Sequence, residues 1–282
     1  MKKFVVIPNE SRDENLCETK RVIEILKGHG AEVYAQSQYK GRLGAVHEFG
    51  TSDQIFKDAD AAVVLGGDGT ILGVAKSAAR YNVPIIGINL GNLGFLAPAE
   101  KGDYSIFDCI FSGDYRVESC MMLDAVVVKQ GVEGASFLAL NDIVASAAGE
   151  SKIINVSASV NGTNIGSYLA DGMIVATAVG STAYSLSAGG AVLHPDLDAM
   201  IITPICPHTL KARSTVVPGN DEIWIRGARP HRADLSISID GKTVGILEEG
   251  EFIKITKSKY RTRLIKPQNR NFFDVLREKL SD

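Results

Sequence analysis

The chain has few cysteines, no long apolar run and no secretory signal, and each of these absences argues against a class of protein. It has four cysteines among 282 residues and no CxxC pair, so a zinc cluster is not expected and reduced cytoplasmic thiols are; they are Cys17, Cys109, Cys120 and Cys206. No apolar run approaches the ~18 residues that a membrane-spanning helix requires. The N-terminus, MKKFVVIPNESRDE, reaches charged residues too early for a secretory signal. We expect a cytoplasmic protein with no membrane partner.

The chain also lacks an excess of charge of one sign. It has 30 basic and 33 acidic residues, a formal net charge of -3, whereas nucleic-acid-binding proteins usually present a strongly basic face. We therefore expect no nucleic-acid partner. A small anionic ligand is compatible with this balance, because a few local donors can hold one. The composition, 45% hydrophobic and 22% charged, is typical of a globular protein with one large or two ordinary domains.

The first third of the chain alternates strand and helix patterns. The apolar runs FVVIPN, AEVYAQ, AAVVL and IIGINL predict strands, and CETKRVIEILKGHG predicts a helix that ends near Gly28 and Gly30. Ser52 is a candidate cap for a short helix through Phe56, and a further helix is expected over about 70–80. Strands that alternate with helices imply a parallel sheet with helices on its faces. We predict a Rossmann-like α/β domain over residues 1–112.

The pattern changes near residue 115. Strand-like runs follow one another with turn residues between them and little helical periodicity. The pairs Asn161-Gly162 and Asp240-Gly241, each flanked by alternating residues, are strong hairpin signals. We predict a β-rich, sandwich-like domain over residues 113–262. The tail NRNFFDVLREKL predicts an amphipathic helix, within residues 263–282, that packs back onto the N-terminal domain.

The stretch VVLGGDGTIL, residues 63–72, places three glycines and a carboxylate between a predicted strand and a predicted helix. Unpaired N–H groups at a helix start attract anions, and glycines let phosphate oxygens approach without a Cβ in the way. A tight strand-to-helix turn without a ligand is the alternative. We predict phosphate binding by this loop and by the end of the next strand, at Gly66, Gly67, Gly69, Thr70 and Asn89.

The segment INLGNLGFLAP follows that next strand at its C-terminal end, where ligands bind in open parallel sheets. Gly91, Asn92 and Gly94 are therefore expected beside Asp68, together with Asn89. Phe95 either stacks on an adenine ring or serves as a core aromatic.

Asp68 separates this loop from other phosphate loops, since no Walker A lysine follows and the spacing is not GxGxxG. A carboxylate, ordinarily ionised at neutral pH, repels phosphate unless a cation or a hydroxyl lies between them. Both arrangements point to phosphoryl transfer, with Asp68 orienting an acceptor hydroxyl, holding Mg²⁺, or doing both in different states. No lysine or arginine is an obvious partner for the phosphates, because Lys76 lies a turn and a half into the helix.

Five motifs in fixed order resemble the bacterial NAD kinase family; they are GGDGT, GINLGNLGFL, LND, DGMIVATAVGSTAYSLSAGG and ITPICPHTLKAR, over residues 61–213. GGDG alone is shared with phosphofructokinases and lipid kinases, whereas the DG…GSTAYS segment is far more specific. The resemblance implies that ATP, with Mg²⁺, phosphorylates the adenosine-ribose 2′-hydroxyl of NAD to give NADP. It also implies a homodimer or homotetramer, formed through the β-rich NAD-binding domain, with sites completed across subunits.

The resemblance further implies roles for individual residues. Asp68 is expected to contact the acceptor hydroxyl as general base, Asn141 and Asp142 to hold the ribose or adenine end of NAD, and Asp171 to lie near the nicotinamide. The other expected NAD contacts are Gly69, Phe95, Thr182, Ala183, Tyr184, Ser187 and Asp240. The chain departs from the family pattern in four places: Asp142 replaces a glutamate, Ala178 and Val179 replace proline and threonine, and Leu169 replaces a polar or basic residue.

Three other functions remain as alternatives. A lipid or sphingoid kinase shares the GGDGT loop and a β-rich second domain, but its usual Asn-Glu follows within a few residues, where this chain has ILGVAK. A sugar kinase related to phosphofructokinase uses a second α/β half instead of a β-rich one. A nucleotide sensor without turnover gains nothing from a carboxylate that faces phosphates.

Overall fold

The computed structural model describes residues 1–44, 46–49, 54–91, 94–97, 99–148, 153–227 and 234–280, without the side chains of 47–49. The chain divides into two compact units. Unit 1 comprises Met1–Ser119 and Tyr260–Asp282, and unit 2 comprises Cys120–Lys259. The limits expected from sequence are residues 112 and 262, whereas this division falls after Ser119 and after Lys259.

Unit 1 is an α/β fold built on parallel strands. Its first elements are β1 (Lys3–Pro8), α1 (Cys17–Gly28), β2 (Glu32–Gln36), β3 (His47–Phe49), β4 (Ala61–Gly66), α2 (Asp68–Arg80), β5 (Ile85–Asn89), β6 (Ala99–Glu100) and α3 (Ser105–Ser112). The strands follow the order β6-β5-β4-β1-β2-β3 with every pairing parallel. The predicted Rossmann-like sheet is confirmed.

Hydrophobic burial explains why these segments form strands. All residues of β4 and β5 are buried, as expected for apolar, β-branched strands that are covered on both faces. Val63 lies between Val6 and Ile86 in the register, so the centre of the sheet is a continuous apolar layer. Short 3-10 helices occur at Glu14–Leu16, Ser37–Tyr39 and Gln54–Phe56. The predicted cap Ser52 lies outside the described residues.

Unit 2 is a sandwich of antiparallel strands. The chain continues through β7 (Tyr115–Lys129), β8 (Val132–Ala139), β9 (Asp142–Ala147), β10 (Ile154–Val160), β11 (Thr163–Ala170), β12 (Gly172–Thr177), α4 (Tyr184–Ser187), β13 (Ala199–Ile205), β14 (Thr215–Pro218), β15 (Ile223–Gly227), β16 (Leu235–Ile239), β17 (Lys242–Leu247), β18 (Glu251–Pro267) and α5 (Phe272–Leu280). A 3-10 turn at Gly180–Thr182 precedes α4.

One sheet has the order β14-β13-β12-β9-β16-β17, and the strands β11-β10-β15-β18 pair in a second row, with β7 beside β18 and β8 beside β7. Their core contains Ile143 and Val175 from the first sheet and Ile225 and Ile255 from the second. The predicted β-rich, sandwich-like fold is confirmed.

Both predicted hairpins are present, and backbone angles explain them. Asn161 and Gly162 have φ values of 49° and 78° between β10 and β11, and Asp240 and Gly241 have 48° and 77° between β16 and β17. Two positive φ values in succession are the mark of a type I′ turn, which favours Asn-Gly and Asp-Gly.

The C-terminal helix α5 belongs to unit 1. The ring of Phe272 lies 6.5 Å from that of Phe95, centroid to centroid, and Arg116 Nη2 donates to the carbonyl of Arg270 at 3.2 Å. No residue described in α5 is fully buried. Within the described ranges, no helix has the length and apolar character needed to cross a membrane.

Candidate active site

The GGDG loop is a turn of a single residue. Strand β4 ends at Gly66 and helix α2 begins at Asp68, with Gly67 as its N-cap. A Cβ on Gly66 would lie 2.3 Å from Thr70 Oγ1, so glycine is required there for the helix to start so soon. Thr70 Oγ1 also accepts a hydrogen bond from Asn9 Nδ2 at 2.9 Å, which ties the end of β1 to the first turn of α2.

The Asp68 carboxylate is held by the loop that follows β5. Its two oxygens accept hydrogen bonds from the backbone N–H groups of Phe95, at 2.9 Å, and Leu96, at 3.1 Å. A Cβ on Gly94 would lie 2.0 Å from Asp68 Oδ1, so only glycine allows this approach. A carboxylate has about four lone-pair sites, and those left over are available to a further donor.

Asp68 lines an open cleft of about 860 Å³ in unit 1. The cleft is also lined by Asn9, Arg12, Gly67, Gly69, Thr70, Gly73, Val74, Leu90, Gly91, Gly94 and Lys279. Of the residues predicted to bind phosphate, Gly67, Gly69 and Thr70 therefore face the cleft. α2 is 13 residues long and begins at this cleft, which makes its N-terminus a favourable place for an anion.

Asn89, at the end of β5, is hydrogen-bonded to the loop that follows it. It is 1% exposed, its Nδ2 donates to the carbonyl of Gly91 at 3.0 Å, and its Oδ1 accepts from the Gly91 N–H at 3.3 Å. Asn89 thus shapes the loop from behind, and neither it nor Gly66 is among the residues that line the cleft. Asn92 lies outside the described residues. Phe95 is half-buried beside Phe272 of α5.

Two cationic side chains, Arg12 and Lys279, line the cleft, and neither was predicted from the sequence. Arg12 lies against the loops, since a Cβ on Gly91 would be 2.6 Å from Arg12 Nη1 and one on Gly67 would be 3.1 Å from it. The Lys279 ammonium lies 4.9 Å from the centre of the Phe95 ring. Arg12 reaches the cleft because β1 pairs in parallel with β4, so residues that follow the two strands emerge at one edge; the sequence does not specify this strand order.

In unit 2, Asp240 organises the segment Leu140–Asp142. Its carboxylate oxygens accept hydrogen bonds from the backbone N–H groups of Leu140 (3.2 Å), Asn141 (2.8 Å) and Asp142 (3.3 Å). In return the Asp240 N–H donates to the carbonyl of Asp142 at 3.0 Å. Three residues predicted to bind NAD are therefore brought together, with Asp240 fixing the backbone of the other two.

The side-chain oxygen of Asn141 is a buried acceptor without a hydrogen-bond donor in the described part of the chain. The residue as a whole is 9% exposed. A buried unpaired acceptor costs about 1–3 kcal/mol. The backbone of Asn141 is packed closely, since a Cβ on Gly180 would lie 2.0 Å from its carbonyl oxygen. The arrangement suits a ligand that brings a hydrogen-bond donor to Asn141.

Asp142 is a buried carboxyl group. Its burial, and in second place the charge of Asp240, raise the pKa of Asp142 to about 7. The group therefore changes charge near neutral pH, unlike an exposed aspartate.

The GSTAYS turn has two buried serines, Ser181 and Ser185, and the residues between them lie nearer the surface. Ser181 Oγ accepts from the Leu193 N–H at 2.9 Å, and Ser185 Oγ lies 3.0 Å from Thr203 Oγ1. These anchors leave the expected NAD contacts at or near the surface: Thr182 and Ala183 are half-buried, while Tyr184 and Ser187 are exposed. Asp171, at the β11–β12 junction, is half-buried.

The departures from the family pattern lie in two kinds of environment. Ala178 and Val179 are buried in unit 2, so they affect packing below the GSTAYS turn. Leu169 is 38% exposed, and its carbonyl accepts from the His208 N–H at 2.8 Å.

Few side chains of the cleft could act as ligands to a metal ion. Within the described ranges no group of three or more His, Cys, Asp or Glu side chains could hold an ion, and Asp68 is the one carboxylate among the residues that line the cleft. Mg²⁺ commonly keeps water and binds one or two carboxylates plus substrate phosphates. The residues thus fit Mg²⁺ that arrives on a nucleotide, and they do not form an all-protein cage.

Together these features define a phosphotransferase of the GGDG-loop type. Residues 4–108 match the ATP-NAD kinase N-terminal domain, and residues 140–267 match the ATP-NAD kinase C-terminal domain. The chain is 44% identical over 283 residues to an NAD kinase of Caldanaerobacter subterraneus subsp. tengcongensis, and 44% identical over 284 residues to one of Thermoanaerobacter sp.; both alignments cover 100% of each chain. This chain belongs to the ATP-NAD kinase family.

Solved structures agree with this assignment. The NAD kinase from Archaeoglobus fulgidus, in complex with ATP, has a TM-score of 0.76 at 28% identity, with 98% of each chain covered. Yeast NADH kinase, complexed with NADH, has a TM-score of 0.87 at 23% identity, with 99% of this chain and 87% of the yeast chain covered, and so shares the fold.

Proposed function

We propose that this chain transfers the γ-phosphoryl group of ATP to the 2′-hydroxyl of the adenosine ribose of NAD, giving NADP and ADP. One observation carries the proposal. Asp68, fixed by two backbone amides at a helix start, is the carboxylate of a cleft that otherwise offers cations and N–H groups to an anion. Relatives named NAD kinase at 44% identity over the whole chain support NAD as the acceptor.

Asp68 aligns the acceptor hydroxyl. Because the amides of Phe95 and Leu96 fix its orientation, a remaining lone pair can accept a hydrogen bond from the 2′-hydroxyl. Phosphoryl transfer passes through a loose transition state, so Asp68 accepts the proton late and contributes mainly by positioning. General-base catalysis of this kind is worth about 10²–10⁴-fold.

The ATP phosphates are held at the start of α2 by the N–H groups of the GGDG loop and by the Thr70 side chain. When bound, Mg²⁺ neutralises part of the phosphate charge, and Asp68 is the residue of the cleft that would hold it, alongside phosphate oxygens and water. This role and the contact with the acceptor hydroxyl belong to different states of the reaction.

In unit 2, the groups proposed to contact NAD are a buried acceptor without a hydrogen-bond partner and several exposed side chains. The buried Oδ1 of Asn141 accepts a hydrogen bond from the adenine or ribose end, and Asp142 beside it makes a second contact. Tyr184 and Ser187, which are exposed, and Asp171 supply further contacts. Thr182, Ala183, Gly69 and Phe95 complete the proposed NAD set.

We also propose that the protein acts in the cytoplasm as a homodimer or homotetramer. Four free cysteines, two of them exposed, support a reducing compartment. An apolar groove of about 600 Å³ in unit 2, lined by the exposed Val132, Val244 and Ile246, supports self-association through this unit. Light scattering after size exclusion, on wild type and on Ile246→Asp, tests it: a monomeric wild type would contradict the proposal.

The reaction itself is tested by supplying acceptors in parallel. Purified protein is incubated with Mg-ATP and NAD, NADH, a diacylglycerol, a sphingoid base or fructose 6-phosphate, and ADP release and phosphorylated product are measured. The proposal predicts NADP from NAD and no phosphorylated lipid or sugar. A phosphorylated lipid without NADP would replace it with a lipid kinase. Tight NAD binding without product, from any donor, would indicate a sensor.

A further inference from the structure

We propose that Arg12 and Lys279 form a two-cation clamp on the phosphate chain of the phosphoryl donor in the cleft of unit 1. This inference rests on the proposed kinase function. Neither residue lies in the motifs that identify the family; one lies near the start of the chain and the other near its end.

Arg12 is held in place by backbone geometry. Its N–H donates to the carbonyl of Asn9 at 3.0 Å, and the Asn9 side chain donates to Thr70 Oγ1 at 2.9 Å. The turn that carries Arg12 is thus tied to the first turn of α2, beside Asp68. The glycines at 67 and 91 make room for the guanidinium, because a Cβ at either position would lie 3.1 Å or less from Nη1.

The positive charge of Arg12 is available to a ligand, because the nearby carboxylates bind other groups. The neighbouring carboxylates are engaged elsewhere: Glu10 pairs with Arg42 at 2.9 Å, and Asp13 accepts from the N–H groups of Glu18 and Thr19, each at 2.9 Å. In the part of the chain that the structure describes, no carboxylate forms an ion pair with Arg12. An exposed guanidinium packed on two glycine loops is therefore available for an anionic ligand.

Lys279 approaches the same cleft from α5. Its ammonium lies 4.9 Å from the centre of the Phe95 ring, and the Phe95 N–H is one of the two that hold Asp68. The aromatic contact directs the side chain towards the loop. The other described cation of α5, Arg277, instead pairs with Asp274 on the helix at 3.2 Å.

Two different cations suit a triphosphate that lies next to a carboxylate. A guanidinium binds phosphate oxygens in a bidentate manner, whereas an ammonium acts as a mobile point charge. Asp68 repels the phosphates, and two positive charges in the cleft offset that repulsion. Arg12 should contribute more than Lys279, because its backbone and its packing surface are both fixed.

The test measures dissociation constants for ATP and for inorganic tripolyphosphate by titration calorimetry. Arg12→Gln is compared with Arg80→Gln, at the far end of α2, and Lys279→Gln with Arg277→Gln. Loss of a charged hydrogen bond is worth about 1.5–3 kcal/mol, so Arg12→Gln should weaken the binding of both ligands about 10- to 150-fold. Lys279→Gln should weaken them about 2- to 5-fold, as for an exposed ion pair. Neither control should change binding by more than about twofold.

Further readouts separate ligand binding from a structural role. Arg12→Lys should recover part of the affinity, NAD binding should be unchanged in every variant, and Arg12→Gln should raise KM for ATP more than it lowers kcat. Tripolyphosphate and ATP affinities in Arg12→Gln that match those of Arg80→Gln would overturn the clamp. If the wild type makes no NADP, the proposed function fails, yet the binding comparison still decides the clamp.

Discussion

At the scale of single residues, the contact between Gly94 and Asp68 is the tightest constraint on the candidate active site. In Gly94→Ala the new methyl carbon would lie 2.0 Å from Asp68 Oδ1, so either the carboxylate or the loop must move. A displacement of about 1 Å at a reacting group can cost 10²-fold in rate. We predict that Gly94→Ala lowers kcat about 100-fold while NAD affinity is retained.

Gly28→Ala is the matched control, because nothing lies within 4 Å of a Cβ at that position, the last of α1. It should leave kcat unchanged. Equal kcat values for the two variants would show that the Gly94 contact is irrelevant to catalysis.

Asp142 gives a prediction for the dependence of stability on pH. Its folded pKa of about 7 is raised above the unfolded value of about 3.9, so the folded state binds the proton more tightly. Its contribution to the free energy of unfolding is therefore fully present below about pH 4 and is lost as pH rises to about 7. Asp142→Asn removes this loss.

Urea unfolding at pH 5, 6, 7 and 8 checks the sign. The stability of Asp142→Asn relative to wild type should increase from pH 5 to pH 7 and then level off. A difference that is constant across this range would show that the pKa of Asp142 is not raised in the folded protein.

Residues in contiguous motifs were predictable, and residues from distant segments were not. Asp68, Thr70 and the glycines could be placed at one turn from GGDGT, because a strand, a turn and a helix start follow one another along the chain. Arg12 and Lys279 reach the same cleft only through the strand order and through the packing of α5 on Phe95. The hydrogen bonds between Asn89 and Gly91 are a loop contact that the sequence pattern did not predict.

At the scale of elements, the β16–β17 hairpin supports the start of β9. Asp240 sits in the hairpin turn and accepts three N–H bonds from Leu140, Asn141 and Asp142. Asp240→Ala should lower the free energy of unfolding by about 2 kcal/mol, because the N–H groups lose their acceptor. It should also weaken NAD binding about tenfold, ~1.4 kcal/mol, by releasing the backbone of Asn141.

Asp240→Asn is the informative comparison. Asparagine tolerates the positive φ of this turn and keeps an acceptor oxygen, so its effects should fall between those of wild type and Asp240→Ala. ATP affinity should not change in either variant. Wild-type NAD affinity in Asp240→Ala, measured by calorimetry, would contradict a supporting role for this hairpin.

Whether a hairpin could be predicted depended on the residues in its turn. Asn161-Gly162 and Asp240-Gly241 predicted their hairpins because these residues accept positive φ. The β7–β8 hairpin turns through Gln130 and Gly131, with φ values of 50° and 81°, and glutamine gives no such signal. Strand β3, only His47–Phe49, was also missed, since three residues show no periodicity.

At the scale of the whole molecule, the sequence predicted two kinds of fold because helical periodicity separates the strands in one unit and is nearly absent from the other. Fully apolar strands alternate with helices in unit 1, whereas strands follow one another with turns and little helix in unit 2. Each unit has its own core, around Val63 and Ile86 in the first and around Ile143 and Val175 in the second. The family motifs then added the acceptor, which physical patterns alone did not specify.

Asp68→Asn tests whether the Asp68 carboxylate serves phosphoryl transfer to NAD. NADP formation from NAD and Mg-ATP is followed with an NADP-specific dehydrogenase, and NAD and ATP affinities are measured on the same preparations. We expect that wild type makes NADP, while Asp68→Asn binds both substrates with comparable affinity and is slower by about 10²–10⁴-fold. A wild-type kcat in Asp68→Asn would contradict this expectation.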